Sequence, residues 1–342
     1  MPSLDLPTAN GLGRFHYTLS TPEDADATAI VAGLPTLVLL HPVYIGSHIF
    51  HPIFADPRLR RFNLVTMDLR GHGQTSADVE DTYGRETGAK DVLNLMAALK
   101  LPACHLMGVS MGACMALQVA ALDPEKVLSM FMLSPLPLQE PPESAEGRQE
   151  IYDCWVAGFA DYPDRVDDSA LEDAVYGAVQ LAFNNQNTNL GSALISHALP
   201  SGIRNWSPDK FSAFHTASVK FFLNRFPLPK SQLERIRAPI ALVHCSDDVA
   251  YPISYSEELL TSLRSAQLDA RIYTIEGAPH FGNVTHVKET NTMLYDFVLS
   301  NLTPGIAIPA AQSGVKSPFA ADLMAFGLEE GDGESDSDEG DY

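Results

Sequence analysis

The sequence predicts an α/β fold, a doubly wound and mostly parallel sheet with an all-helical segment inserted between two late strands. Short apolar segments of strand length alternate with segments of helical pattern, which is the order found in parallel sheets. Several strand segments are apolar at nearly every position, as expected of strands covered on both faces. The alternation stops over residues 135–231, which have a helical pattern, and then resumes.

The individual elements are predicted from segment length, apolar content and the residues that end helices and strands. Seven segments have the β-branched or apolar content of strands: 14–19, 35–41, 62–68, 104–109, 127–134, 240–245 and 271–276. A helix is predicted over residues 85–99, where apolar residues fall close to one stripe. A second helix is predicted over residues 111–122 and ends at an Asp-Pro pair. Because these helices connect consecutive strands, the strands are expected to run parallel.

The chain divides into four predicted parts. Residues 1–134 form the first part of the α/β core and residues 232–302 its second part. Residues 135–231 form a helical lid, which has prolines at both ends. Residues 303–342 are interpreted as a linker and a disordered acidic tail, because the end of the chain is strongly acidic and has too little apolar content to fold.

Composition and charge exclude several classes of protein. The net charge of −21 would repel nucleic-acid phosphates, so no nucleic-acid partner is expected. No stretch approaches the roughly 18 to 20 apolar residues of a membrane span, so no membrane partner is expected either. The four cysteines show no metal-binding spacing, and the N-terminus lacks the pattern of a secretory signal. These features predict a cytoplasmic protein with reduced thiols.

The strongest functional motif is the sequence GVSMG around Ser110, which has the pattern G-x-S-x-G. It lies between a predicted strand and a predicted helix, where a sharp turn exposes a serine hydroxyl as a nucleophile. The first backbone N–H groups of the helix, beginning with that of Met111, face a developing oxyanion. The alternative is a tight turn with an incidental serine. The context favours Ser110 as the nucleophile and Met111 as a backbone oxyanion donor.

A nucleophilic serine needs a base and an acid, and on this kind of fold they follow it in the order acid, histidine. Among 11 histidines, His280 in the sequence GAPHFG follows the last predicted strand and is the preferred base. His286 is a weaker alternative, and His244 lies on a strand and is more compatible with the core. Asp247 and Asp248 both follow the strand 240–245, and either could orient the imidazole.

Together these motifs resemble the α/β-hydrolase fold superfamily, in its lid-bearing group of esterases, enol-lactone hydrolases and C–C hydrolases. The resemblance spans residues 14–302 and includes the His41-Pro42 pair, MDLRGHGQTS, GVSMG, HCSDDVAYP and GAPHFG. It implies that Asp248 is the catalytic acid, since this aspartate stands four residues before Pro252, as in the family pattern H-G-x-x-D-x-x-x-P. It also implies a second oxyanion donor, the backbone N–H of Val43.

The chain departs from the family pattern at two positions. Pro42 stands where the family usually has glycine after the histidine, and Cys245 stands where the acid loop usually has glycine. Proline has no N–H group and fixes φ. Because the expected donor is the following residue, Val43, the oxyanion hole can survive this change.

The sequence therefore predicts a serine hydrolase that cleaves a carboxylic ester or lactone of a small molecule through an acyl-enzyme at Ser110. His280 and Asp248 complete the predicted triad, and no metal or organic cofactor is expected. Thioester or C–C bond hydrolysis by the same triad is an alternative. A non-catalytic ligand-binding protein on the same scaffold is another, and Pro42 is the residue that favours it. The oligomeric state is not indicated.

Overall fold

The computed structural model describes residues 2–329, which contain one eight-stranded sheet. The strands are β1 (Ser3–Thr8), β2 (Gly11–Ser20), β3 (Thr36–Leu40), β4 (Asn63–Met67), β5 (Cys104–Val109), β6 (Val127–Leu133), β7 (Ile240–Cys245) and β8 (Ala270–Ile275). Their order across the sheet is β1-β2-β4-β3-β5-β6-β7-β8. All pairs from β4 to β8 are parallel, whereas β2 is antiparallel to both β1 and β4.

Helices cover both faces of this sheet. The helices are α1 (His51–Ala55), α2 (Arg85–Ala98), α3 (Met111–Leu122), α4 (Pro142–Ala157), α5 (Asp168–Phe183), α6 (Asn189–Asn205), α7 (Phe211–His215), α8 (Phe221–Leu223), α9 (Lys230–Leu233), α10 (Ile253–Ser265), α11 (Gly282–Thr285), α12 (Val287–Ser300) and α13 (Ala320–Met324). Helices α2, α3 and α10 contribute to one apolar cluster, and α1, α12 and α13 contribute to a second. The predicted doubly wound, mostly parallel α/β fold is confirmed.

One strand was not predicted from the sequence. β1 forms a hairpin with β2 at the edge of the sheet, with Thr8 paired to Gly11 across the turn. Gly11 has a φ of +123°, a conformation that L side chains rarely adopt. Only Leu6 of β1 is buried, so the strand lacks the apolar pattern by which the others were recognised.

The chain between β6 and β7 is helical, from α4 to α9. It has a small apolar core of its own, made of Trp155, Phe159, Leu171, Ala174, Trp206 and Phe214. Most aromatic side chains of this segment therefore pack against one another. The role of the segment as a lid remains a prediction.

Part of the segment predicted as a linker is anchored to the core. Phe319 and Leu323 are fully buried in the same apolar cluster as α1 and α12. The guanidinium of Arg60 donates a hydrogen bond of 2.9 Å to the carbonyl of Lys316. The predicted disordered acidic tail, from residue 330 onward, lies outside the described residues.

Two general features of the described residues concern membrane spans and thiols. Within residues 2–329, no helix combines the length and the apolar character needed to cross a bilayer. All four cysteines lie in this range and are free thiols, and three of them, Cys104, Cys114 and Cys245, are buried.

Candidate active site

The serine of the G-x-S-x-G motif occupies a strained turn. Ser110 connects β5 to α3 and has a φ of +53°, which is costly for a residue with a side chain. A Cβ atom at Gly108 would lie 2.4 Å from the backbone nitrogen of Ala113, and one at Gly112 would lie 2.0 Å from the carbonyl oxygen of Leu40. Both glycines are therefore required sterically. They allow the turn to be tight and allow α3 to begin directly against the end of β3.

The two segments that meet here carry the predicted oxyanion residues. Val43 follows β3 closely and Met111 is the first residue of α3, and both are buried. The first N–H groups of a helix have no acceptor four residues earlier, so they are available to a bound oxygen. The next residue, Tyr44, has a φ of +73°, and its N–H donates a 3.1 Å hydrogen bond to Nε2 of His72. The Val43 loop is thus held in a defined, strained conformation.

Two neutral histidines support this loop. Nδ1 of His72 lies 3.0 Å from the carbonyl of Arg70, and Nδ1 of His41 lies 2.7 Å from the carbonyl of Pro42. Since a carbonyl only accepts, Nδ1 carries the proton in each ring and Nε2 is an acceptor. Burial lowers the pKa of His72 to about 3 and lowers that of His41 as well. His72 of the RGHG sequence therefore helps to fix the conformation of the Val43 loop.

A buried carboxylate, that of Asp68, stabilises the chain around the Val43 loop through hydrogen bonds. Oδ1 of Asp68, which follows β4, accepts hydrogen bonds from the N–H and Oγ of Ser47 at 2.9 and 2.7 Å. Its Oδ2 accepts from the N–H of Gln74 at 2.9 Å and lies 3.0 Å from Nδ1 of His16. Burial alone would raise the pKa of Asp68, but the His16 and Gln74 hydrogen bonds hold it well below its usual range. Sequence analysis did not single out this residue, although it lies within MDLRGHGQTS.

The predicted acid and base are in contact. Oδ2 of Asp248 lies 2.5 Å from Nδ1 of His280, and both side chains are buried. The other oxygen of Asp248 accepts hydrogen bonds of 3.0 Å from the N–H groups of Ala250 and Tyr251. Asp247, the alternative acid, is exposed and contacts Gln186 instead.

The two alternative histidines are placed elsewhere. His244 is buried on β7, and burial lowers its pKa. Nδ1 of His286 lies 2.9 Å from the hydroxyl of Thr285. Neither forms a hydrogen bond with Asp248 among the residues described.

Ser110 and His280 are both attached to the end of β6. The N–H of Ser110 donates to the carbonyl of Leu133 at 3.0 Å. The hydroxyl of the next residue, Ser134, donates to the carbonyl of His280 at 2.6 Å. The described structure contains no hydrogen bond between the side chains of Ser110 and His280. Nε2 of His280 is buried and has no hydrogen-bond partner among residues 2–329, so its lone pair is unused.

Comparison with known proteins identifies the family of this chain. Residues 35–287 match the family model of the α/β-hydrolase fold. The chain belongs to the α/β-hydrolase family. The resemblance drawn from the sequence motifs is confirmed, and a general hydrolase function is supported.

Individual members of the α/β-hydrolase family match over most of this chain. A protein of Variovorax paradoxus (strain S110), provisionally named carbamate hydrolase RutD, is 23% identical over 293 residues, which are 85% of this chain and 98% of the relative. The enol-lactonase of Burkholderia xenovorans LB400 superposes with a TM-score of 0.64 at 18% identity, covering 87% of this chain and 100% of that one. A thermophilic esterase of Thermogutta terrifontis gives 0.65 at 14% identity, covering 89% and 100%. At such identities the structural matches show the fold.

This α/β-hydrolase contains a buried ionic network behind the acid loop. Oε1 of Glu140 accepts hydrogen bonds of 2.7 Å from both Nε of Arg148 and the hydroxyl of Tyr251. Its other oxygen accepts from Arg225 at 3.1 Å. The ring of Tyr251 lies 5.4 Å from that of His280. The network thus links α4 to the loop that holds Asp248, and because its members are far apart in sequence, no local motif indicated it.

An apolar cavity adjoins the site of this α/β-hydrolase. The space inside it that a water-sized molecule can occupy is about 70 Å³, which is below the roughly 300–1,000 Å³ typical of small-molecule sites. Its lining is apolar and includes six aromatic side chains, those of Tyr44, Trp155, Phe183, Trp206, Phe214 and Phe281. Tyr44 and Phe281 directly follow Val43 and His280 in the sequence. The cavity therefore lies between the helical segment and the loops that carry the predicted site residues.

Proposed function

We propose that this chain is a serine hydrolase that cleaves a carboxylic ester or lactone through an acyl-enzyme at Ser110. The observation that carries the proposal is the 2.5 Å contact between Asp248 and Nδ1 of His280, with Nε2 of the same ring buried and unpartnered. The carboxylate accepts the Nδ1 proton, which fixes the imidazole tautomer. Nε2 then has the lone pair that a general base needs.

The proposed reaction has two stages. Oγ of Ser110 attacks the acyl carbon while Nε2 of His280 takes the hydroxyl proton, and the carbonyl oxygen becomes an oxyanion bound by the N–H groups of Met111 and Val43. The tetrahedral intermediate collapses, the alcohol oxygen leaves, and His280 returns the proton to it. Water deprotonated by His280 then attacks the acyl-enzyme, which releases the acid and restores Ser110.

The apolar cavity supports an acyl or alcohol group of low polarity as the part of the substrate that is bound. Its wall consists largely of residues from α4, α5 and α6, which supports the proposal that residues 135–231 form a lid over the site. A small uncharged molecule fits this lining better than a peptide or a polyanion. The free thiols support a cytoplasmic location.

The proposal is tested with a fluorophosphonate probe and a panel of acyl substrates. Intact mass should show one rapid adduct, peptide mapping should locate it at Ser110, and Ser110→Ala should abolish both labelling and turnover. Ser300→Ala, which alters an exposed serine at the end of α12, is the matched control and should label normally. The panel contains esters, lactones, thioesters, C–C diketones and, because of the name of one relative, carbamates.

Two outcomes would contradict the proposal. Labelling of Ser110 with turnover confined to thioesters, diketones or carbamates would keep the triad but replace the substrate class. A folded protein with neither labelling nor turnover would favour a ligand-binding protein on the same scaffold.

A further inference from the structure

We propose that His48, His197 and Asp322 bind a divalent transition-metal ion, with zinc as the expected occupant. One donor atom from each side chain, an imidazole nitrogen or a carboxylate oxygen, lies within 4.8 Å of the other two. Two imidazoles and a carboxylate are a donor set that zinc takes in proteins. The group lies outside the proposed triad, and the inference does not depend on the proposed function.

The distances suit a common ion. Nε2 of His48 lies 3.2 Å from Oδ2 of Asp322. Two donors held at about 2.0–2.1 Å from a tetrahedral zinc ion are about 3.3 Å apart, so this pair already has the required separation. The rings of His48 and His197 approach to 3.8 Å between centroids. One donor nitrogen of His197 lies within 4.8 Å of a donor atom of each of the other two residues, so this side chain must rotate to complete the set.

The surroundings favour a bound ion over an exposed polar cluster. Phe319 packs against the ring of His48 at 4.8 Å, and Phe326 packs against the ring of His197 at 5.3 Å. His51 lies three residues after His48, and residues at this spacing share a helical face. Nδ1 of His51 is buried with no hydrogen-bond partner among the residues described. Such an atom costs free energy, which an ion or its bound water would offset.

The ion would join three separate parts of the chain. His48 belongs to the segment after β3, His197 to α6 and Asp322 to α13. Helix α6 also supplies Ala198 and Leu199 to the cavity wall. A metal at this point would therefore fix one wall of the cavity and the C-terminal segment to the core, which is a structural role.

The test uses the full chain, treated with a chelator, dialysed and titrated with Zn²⁺ or Co²⁺ alone. We expect one tightly bound ion per chain, an inner-sphere visible absorption band with Co²⁺ and a higher melting temperature with Zn²⁺. Loss of a residue that supports a ligand costs about 10–100-fold in metal affinity, so His197→Ala and Asp322→Asn should each cost at least about 100-fold. His215→Ala is the control, since His215 bonds Gln149 on α4 and lies outside the cluster.

Two results would overturn the inference. One is the absence of a Co²⁺ band together with an unchanged melting temperature. The other is Zn²⁺ binding that is equally strong in both ligand variants, which would locate the ion elsewhere on this acidic chain. Asp322 is partly exposed, so its variant is expected to fold even if His197→Ala does not. None of these measurements uses esterase activity, so their outcome is distinguishable from that of the hydrolase test.

Discussion

Asp247 and Asp248 are neighbours in the sequence but face different surroundings. The carboxylate of Asp248 is buried against His280 and accepts two backbone N–H groups, whereas the carboxylate of Asp247 is exposed and contacts Gln186. The same side chain can thus orient a catalytic imidazole or merely complete a surface turn, depending on a shift of one position. This pair offers a chemically matched experiment.

We expect Asp248→Asn to lower kcat for an activated ester by about 10⁴-fold, because an amide no longer fixes the imidazole tautomer. Asp247→Asn should leave kcat close to that of the unmodified protein. Steady-state kinetics on both variants, with circular dichroism to verify folding, would measure this. A large loss in the Asp247 variant alone would refute the assignment of the acid.

A second prediction concerns the glycines on either side of Ser110. In Gly112→Ala the new Cβ would meet the carbonyl oxygen of Leu40 at 2.0 Å, and both partners are backbone, so β3 and α3 must separate. We expect loss of fluorophosphonate labelling and a lower melting temperature.

Gly147→Ala is the control for this variant. Gly147 is half-buried within α4 and nothing lies within 4 Å of its added Cβ, so alanine should raise the free energy of unfolding by about 0.5–1 kcal/mol. Normal labelling of Gly112→Ala would contradict the prediction, because it would show that the turn at Ser110 tolerates a separation of β3 and α3.

At the scale of elements, the helical segment and the core are joined by charges as well as by apolar packing. Arg148 on α4 is fully buried, and its guanidinium lies 3.5 Å from the ring centroid of Phe222 and bonds Glu140. Glu140 in turn accepts from Tyr251, whose N–H holds Asp248. The position of the acid loop therefore depends on α4.

We expect Glu140→Gln to lower the free energy of unfolding by about 3–5 kcal/mol, because two buried guanidinium groups lose their counter-charge. Lys90→Met is the control, since it breaks only the exposed pair with Glu86 on α2 and should cost about 0.3–0.5 kcal/mol. Urea denaturation of the two variants measures both losses in the free energy of unfolding. Equal, small losses would show that the buried ionic network is dispensable for stability.

The elements that were predicted well are those whose burial is reflected in the local pattern of apolar residues. The bounds of β5, α3 and β7 agree with the prediction, since each is apolar and ends in a motif or a turn. β1 was missed because it buries only Leu6. Ser110 and the loops after β7 and β8 could be recognised because each lies within a short sequence motif. Glu140, Tyr251 and the three proposed metal ligands could not be recognised from the sequence, because their partners meet only through the tertiary fold.

At the scale of the whole molecule, the most general electrostatic feature is a set of buried neutral histidines. Burial lowers the pKa of His51, His105 and His197 to about 4 and that of His72 to about 3. In the unfolded chain these groups titrate near 6.5. Between these values the unfolded state binds more protons, so the contribution to stability is complete above about pH 6.5 and is lost as the pH falls toward 4.

We therefore expect the free energy of unfolding to decrease steadily as the pH is lowered from 7 to 5. His105 lies on β5 and bonds Ser129, away from the proposed catalytic residues, so His105→Gln isolates one such group. This variant should reduce the slope by at most about 1.4 kcal/mol per pH unit. Urea midpoints at several pH values measure the slope. A slope unchanged by the substitution would mean that His105 titrates alike in both states.

The order of strands in the sheet has a consequence for the way this protein loses activity. Ser110 follows β5, which has β3 and β6 on its two sides. His280 follows β8, which is half exposed and, among residues 2–329, pairs only with β7. Edge elements open locally at a lower free energy than central ones. Partial detachment of β8 would withdraw the imidazole while the nucleophile stays in place. Heat should thus inactivate the protein reversibly below its melting transition, with amide exchange fastest in β8.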